Sequence, residues 1–481
     1  MKLSEYATFD AIGLAKLVER REVSPKELVQ HTFQLIERLN PHLNAVAATF
    51  FEKAKEVVER SLPNGRFRGV PFLLKDNFSS VKNIPINMGS RFAQETTASA
   101  NSELMNRFNR AGFITVGTTT TPEFAYSATT ESILYGPTHN PWDIQLSPGG
   151  SSGGAAASVA SGIVPLAHGN DGAGSIRIPA ACTGLIGLKP TRGRIPTGPF
   201  RAEPLNGLAV DFALTKTVRD TAALLDCLCS PLPGSYSYVK PPSKLYEHII
   251  KERVEPLKIA WTERLYNEFA VDEACITTLH EVVHLLENLG HVVVEDKPKV
   301  DVDLLQKAML TIWTANIAHS IDQLAKKNKR KPNEHNLEPV IWRSYNYGKR
   351  VTASQLLEAL QMNSDISYLV SKFFMDYDLF LTPTIAKEFI RIGELNANDC
   401  DISAEEWANM SFRYVPFTNL FNITGQPAIS LPLGWTKNNK PIGMQFVAKF
   451  SDEKTLLQLA AQLERAKPWK NFVPNVHATN I

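Results

Sequence analysis

The sequence predicts an α/β fold, and three features carry that prediction. Short apolar runs with the composition of buried strands alternate with helical patterns through residues 69–230. These runs are continuous rather than alternating, as in strands covered on both sides. The chain has 481 residues and no internal repeat or low-complexity tract, so it is long enough for a large core.

Taken in order, residues 8–61 read as helices. Ser24-Pro25-Lys26-Glu27 has the form of a capping box with proline at the first helical position. Leu28, Phe33, Ile36 and Leu39 then mark one apolar face, which Asn40-Pro41 is expected to end. Residues 47–62 are expected to form a further helix. Residues 70–74 read as a short buried strand with Lys75 at its C-terminal end, where catalytic groups of α/β sheets tend to sit. A lysine in that position more often extends its ammonium to water. A helix over 102–111 stops at Gly112, a strand follows over 113–117, and Thr120 to Phe124 open another helical turn.

Two glycine-serine segments come next. The first is Gly149-Gly150-Ser151-Ser152-Gly153-Gly154, and the second is Gly169-Asn170-Asp171-Gly172-Ala173-Gly174-Ser175. Between them, residues 155–161 suit a tightly packed helix and 163–167 a buried strand. After Ser175, the run Ile176-Arg177-Ile178-Pro179 turns into another short helix. Loops of Gly, Ala and Ser let a backbone approach a ligand closely, and their successive N–H groups can form an anion nest. A serine at the end of such a nest has oxyanion donors beside its hydroxyl, the arrangement acyl transfer requires. Either loop alone also fits a simple helix-start turn.

Beyond the second loop, residues 214–228 read as a strand and then a helix, and 230–256 as an exposed connection. A strand over 257–261, a helix over 272–289 capped by Gly290 and a strand over 291–295 follow. Residues 302–375 are mostly helical. Further strands are expected within 378–383, 417–432 and 441–447, before a final helix near 452–466.

The length of the motif identifies a family resemblance. Gly149 to Gly154, Asp171-Gly172-Ala173-Gly174-Ser175-Ile176-Arg177-Ile178-Pro179-Ala180, Cys182 with Gly184, and Gly187-Leu188-Lys189-Pro190-Thr191 resemble the signature of the amidase signature family. The likeness covers nearly the whole chain. It implies a mixed, twisted central sheet covered by helices on both faces. It also implies one domain over 1–481, with the signature core at about 69–230 and a variable helical segment at about 300–376 lining the substrate pocket.

The activity implied is hydrolysis of a small-molecule carboxamide through a Ser–cis-Ser–Lys triad. By position, Ser175 matches the family nucleophile, Ser151 the bridging serine, Gly150-Ser151 the cis peptide and Lys75 the base. The backbone N–H groups of Gly172, Ala173, Gly174 and Ser175 match the oxyanion hole, with Ser152, Asp171 and Arg177 as supporting groups. Neither a cofactor nor a metal is implied. Such a base must be neutral, so burial must lower Lys75 from an ordinary pKa of about 10.4. Asp76 is expected to face away, because neighbouring strand residues point to opposite sides. The commoner family loop reads Gly-Thr-Asp-Thr-Gly-Gly-Ser. Ala173 therefore stands where a glycine is usual, and its Cβ must be accommodated. The Asn-Asp-Gly form resembles the branch of cyclic-dimer hydrolases and related broad amidases.

Composition narrows the partners. Lys and Arg number 51 against 49 Asp and Glu, so no field for nucleic acid or an acidic membrane is implied. No run of about 18 apolar residues suggests a spanning helix. The first nine residues lack an apolar signal core, and five scattered cysteines fit a reducing cytoplasm better than disulfides. The expected partner is a small-molecule amide, with no nucleic acid or membrane; a homo-oligomer stays open. Cys227-Leu228-Cys229 is too closely spaced for an ordinary zinc site.

Other readings compete. A glutaminase subunit of a tRNA-dependent amidotransferase shares the signature but usually carries Gln where Ile178 stands. A silent binding protein on the same scaffold is opposed by the presence of Lys75, Ser151 and Ser175. A Ser-His-Asp hydrolase could use His168, although a histidine closing a strand is more often a satisfied structural group. A phosphate-binding loop lacks its Gly-x-x-x-x-Gly-Lys-Ser/Thr pattern.

Overall fold

The computed structural model describes residues 1–60, 62–77, 81–199, 203–266 and 269–480. The strands begin with β1 (Val46–Thr49), β2 (Pro71–Lys75), β3 (Ile114–Thr119), β4 (Glu131–Ser132), β5 (Gly136–Pro137), β6 (Leu166–Asp171) and β7 (Ile186–Lys189). They continue as β8 (Val210–Thr215), β9 (Lys258–Trp261), β10 (Val292–Glu295), β11 (Leu379–Pro383), β12 (Ala428–Trp435) and β13 (Pro441–Ala448). Strands β4 and β5 pair as a small ribbon; the rest form one 11-stranded sheet in the order β1-β3-β2-β6-β8-β7-β12-β13-β11-β9-β10. The sheet is mixed, as expected. Strand β2 runs parallel to β3 and β6, whereas β8 is antiparallel to β6 and β7, and β12 to β7 and β13.

Every residue of β2, β6, β8 and β13 is buried. The middle of the sheet is therefore covered on both faces, the arrangement that continuous apolar strands require. Helix Gly153–Ala160 is buried along its whole length and packs on β2, β6 and β8. Its Gly, Ala and Ser side chains permit that close approach. Helix Arg177–Thr183 packs on β7, β12 and β13. Three long helices, Val302–Asn328, Pro339–Gly348 and Ala353–Asp376, occupy most of the expected helical segment, the first packing on the other two. Among the described residues, no helix is long and apolar enough to cross a membrane.

Three local expectations are corrected. The helix capped by Ser24 runs through Pro41 to Leu43 and stops at Asn44, whose left-handed φ of 47° breaks it. There Asn40 accepts from the N–H groups of Ala45 and Val46, which turns the chain into β1. The expected helix over 47–62 is strand β1 followed by helix Phe51–Glu59; residue 61 lies outside the described residues. Alanine-rich Val46–Thr49 favours helix by propensity, but antiparallel pairing with β3 prevails. The strand expected over 163–167 begins at Leu166 and continues to Asp171, paired throughout with β8. Pro165 cannot donate to a ladder, so it marks the boundary. Gly169, Asn170 and Asp171 thus belong to the strand, and the second loop is short.

Candidate active site

Three elements converge on one nitrogen. Lys75 ends β2, Ser151 and Ser152 precede helix Gly153–Ala160, and Asn170 lies near the end of β6. Lys75 Nζ is 2.7 Å from Ser151 Oγ, 2.9 Å from Ser152 Oγ and 2.6 Å from Asn170 Oδ1. Ser152 Oγ in turn donates to the Asn170 carbonyl at 3.3 Å. Lys75 is fully buried, and burial pulls its pKa down to about 7 against the opposing charges of Asp211 and Asp171. Asp76 does turn away: its carboxylate accepts from Tyr135 Oη at 2.5 Å and from the Asn87 N–H at 2.7 Å.

The peptide Gly150-Ser151 is cis. Glycine is required at 150 because a Cβ there would lie 2.2 Å from the Thr129 carbonyl oxygen. Thr121 Oγ1 donates to the Ser151 carbonyl at 3.0 Å and fixes this turn from β3's side.

The loop carrying Ser175 is held by a buried ion pair. Arg177 meets Asp171 through two parallel bonds of 2.9 Å, Nε to Oδ2 and an Nη2 hydrogen to Oδ1. Its remaining N–H groups reach the Thr418 carbonyl at 3.0 Å, Gln445 Oε1 at 2.7 Å and Asn422 Oδ1 at 2.6 Å. All five guanidinium donors are used. Burial raises the Asp171 carboxyl, but the Arg177 charge and hydrogen bonds outweigh it and hold Asp171 well below the usual carboxylate range. The same carboxylate accepts from the N–H groups of Gly174 at 2.8 Å and Ile176 at 3.3 Å. Arg177→Met is expected to lower unfolding free energy by about 3–5 kcal/mol, because Asp171 would remain buried without its cation. Denaturant unfolding measures this, and an unchanged midpoint would remove the ion pair as a support of the loop.

One of the four N–H groups expected to face an oxyanion is engaged within the protein. The Gly174 N–H is committed to Asp171. Among the described residues, those of Gly172, Ala173 and Ser175 have no partner in the protein. Ala173 avoids the left-handed region, so its Cβ is accommodated, and its carbonyl accepts from Thr418 Oγ1 at 2.6 Å. Gly174 cannot be replaced so readily: its φ is +127°, and a Cβ would lie 2.5 Å from Thr418 Oγ1.

Ser175 opens into two cavities, one of about 720 Å³ and one of about 300 Å³. Ser151 lines the larger with it. His168 lines neither. Its Nδ1 accepts from the Lys75 backbone N–H at 3.4 Å, and its Nε2 lies 3.3 Å from Asp211 Oδ1. With Nδ1 accepting, Nε2 carries the proton toward Asp211. Both ring nitrogens are thus engaged in tying β2, β6 and β8 together. Among the described residues, no group of three or more His, Cys, Asp or Glu is placed to hold a metal ion.

Sequence reasoning missed Asn170, Thr418, Asn422 and Gln445. The first had a signal. Once β6 extends to Asp171, His168 and Asn170 share one face of the strand, the face toward Lys75, while Asp171 takes the other. Thr418, Asn422 and Gln445 lie more than 240 residues from Arg177, and no local pattern announces them.

Known proteins share this arrangement of strands and helices. The family model described as Amidase matches residues 27–457. The 6-aminohexanoate-cyclic-dimer hydrolase of Pseudomonas sp. (strain NK87) is 37% identical over 474 residues, covering 96% of this chain and 95% of that protein. A solved structure of 6-aminohexanoate cyclic dimer hydrolase complexed with substrate matches with a TM-score of 0.93 at 35% identity, covering 98% of this chain and 99% of that one. A bacterial aryl acylamidase of the amidase signature enzymes matches with a TM-score of 0.85 at 26% identity, covering 96% and 97%. The fold is that of amide hydrolases. This chain belongs to the amidase signature family.

Proposed function

We propose that this chain hydrolyses the C–N bond of small-molecule carboxamides through an acyl-enzyme on Ser175, with neutral Lys75 as base and Ser151 as the bridge. The observation that carries the reading is the bonding around Lys75 Nζ. A neutral amine has two N–H donors and one lone pair. Asn170 Oδ1 can only accept, so it takes one N–H. The Ser152 proton points to the Asn170 carbonyl, so Ser152 Oγ accepts the other. The lone pair is left facing the Ser151 hydroxyl at 2.7 Å, ready to take its proton. Ser151 then accepts the proton of Ser175 as the latter attacks the carbonyl carbon. The free N–H groups of Gly172, Ala173 and Ser175 receive the oxyanion. The proton returns through Ser151 to the departing nitrogen, and water releases the acyl group.

We read the chain as one domain. In support, a single sheet joins residues 46 to 448, and the segment at about 300–376 contributes Trp313 to both cavities. Ile178 lines the smaller cavity with an apolar side chain that gives a glutamine amide no partner, which disfavours the glutaminase reading. The free thiols Cys182, Cys229 and Cys275 are buried, in keeping with work in a reducing cytoplasm.

Fluorophosphonate labelling of the purified chain, followed by peptide mapping, tests the proposal. The label is expected on Ser175 and is expected to be lost in Lys75→Ala. An unlabelled but folded wild-type chain would overturn it.

A further inference from the structure

We infer that the larger cavity receives the departing amine and the smaller one the acyl group, so that Ser175 stands between two arms of different chemistry. The inference rests on the seryl acyl-enzyme reading above. Ser175 and Trp313 line both cavities. Ser151 and Asn170 line only the larger, whereas Ala173 and Ile178 line only the smaller. Trp313 forms the partition, with its ring 5.1 Å from that of Tyr126. Tyr126 is itself anchored, because its carbonyl accepts from Trp407 Nε1 at 3.1 Å.

The proton path decides which arm is which. In acylation, the bond from Ser175 Oγ to the carbonyl carbon forms and the C–N bond breaks. The Ser175 proton passes through Ser151 to Lys75, and a proton must come back through Ser151 to the nitrogen. That nitrogen must lie within hydrogen-bond reach of Ser151 Oγ. Ser151 opens only into the larger cavity, so the amine leaves there. The carbonyl oxygen faces the free loop N–H groups. The remaining substituent of the carbonyl carbon, the acyl chain, then enters the smaller cavity.

The walls agree with this assignment. Ile178, Met309, Trp407, Phe412 and Val415 give the smaller cavity apolar walls beside the polar Gln306, Lys307 and Glu405, which suits a largely aliphatic or aryl acyl group of moderate length. The larger cavity mixes Leu205 and Leu356 with Asn316, Gln323 and Lys327, which suits a longer amine arm carrying polar groups. The substrate class is an N-substituted amide with a largely apolar acyl half and a longer amine half that carries polar groups.

Deacylation separates the two arms, because the amine has gone by then. Two amide series test the assignment, one sharing a single amine and varying the acyl chain, the other sharing a single acyl group and varying the amine. Met309→Ala is expected to shift kcat/KM between short and long acyl chains by about 10-fold or more, the scale of changes in an apolar pocket, and to change the deacylation rate. Leu310→Phe, which narrows the same cavity, should shift the preference the opposite way and serves if Met309→Ala folds poorly. Leu356→Ala is expected to re-rank the amines while a shared acyl group deacylates at the wild-type rate. Re-ranking of amines by Met309→Ala or Leu310→Phe with acyl preference unchanged would overturn the assignment. So would altered deacylation in Leu356→Ala, or unchanged ranking in every folded variant. Failure of the underlying reading looks different: the wild-type chain would form no acyl adduct on Ser175, as seen by mass spectrometry.

Discussion

Ser175→Ala is expected to lower kcat for amide hydrolysis by about 10⁴- to 10⁶-fold, the scale seen when a serine nucleophile is removed. The loop should survive the change. Its shape is set by the Asp171 carboxylate, which takes the Gly174 and Ile176 N–H groups, and by Arg177 and Thr418, none of which bonds to the Ser175 hydroxyl. Thermal unfolding should therefore stay close to that of the wild-type chain. Both cavities remain, so an amide should still bind, and equilibrium binding can be measured on the inactive variant. Steady-state kinetics beside a thermal melt makes the comparison. Turnover near the wild-type rate in a folded Ser175→Ala would remove Ser175 as the nucleophile.

Lys75→Met should also damage activity, by about 10²- to 10⁴-fold for loss of a general base. It also tests the protonation state independently of turnover. Lys75 titrates at about 7 in the fold and near its ordinary value of about 10.4 when unfolded. Between those values the unfolded chain holds a proton that the folded chain lacks. Stability of the wild type relative to Lys75→Met should therefore rise with pH from about 7 to about 10, with a slope approaching 1.4 kcal/mol per pH unit. Below about 7 both states are protonated, the cost of burying the charge is fully present and the difference should be flat. Wild-type activity should rise through the same lower limit, because the base works only when neutral. A stability difference independent of pH across the window would mean that Lys75 stays charged in the fold, and the proposed base would fall with it.

How much of this was legible in the sequence depended on distance along the chain. Strand β2 and its terminal lysine were visible because a short apolar run ends at Lys75 and a turn follows. The helices around the signature were visible because small residues and glycines punctuate them. The strand at 46–49 was hidden because its partner β3 lies about 70 residues away in the chain and supplies the deciding hydrogen bonds. The placement of β6 three residues too early hid Asn170, since only the correct register shows that it shares a face with His168. The family resemblance supplied four oxyanion donors. Geometry showed that Gly174 is engaged elsewhere, a fact that depends on the Asp171 rotamer rather than on residue type. Thr418, Asn422 and Gln445 were beyond any local reading, because their roles exist only once Arg177 reaches them.

The reach of Arg177 also sets when the site comes into being. Its partners lie 241 to 268 residues downstream, on the approach to β12 and within β13. A chain emerging from the ribosome displays Lys75, Ser151 and Ser175 long before those partners are made. Until they arrive, Arg177 lacks three of its five bonds, Asp171 lacks the Asn422 amide, and Ala173 lacks Thr418. The loop that carries Ser175 therefore reaches its full set of bonds only once residues 418–445 have been made. A fragment ending before Thr418 would carry the Ser175 loop without these supports.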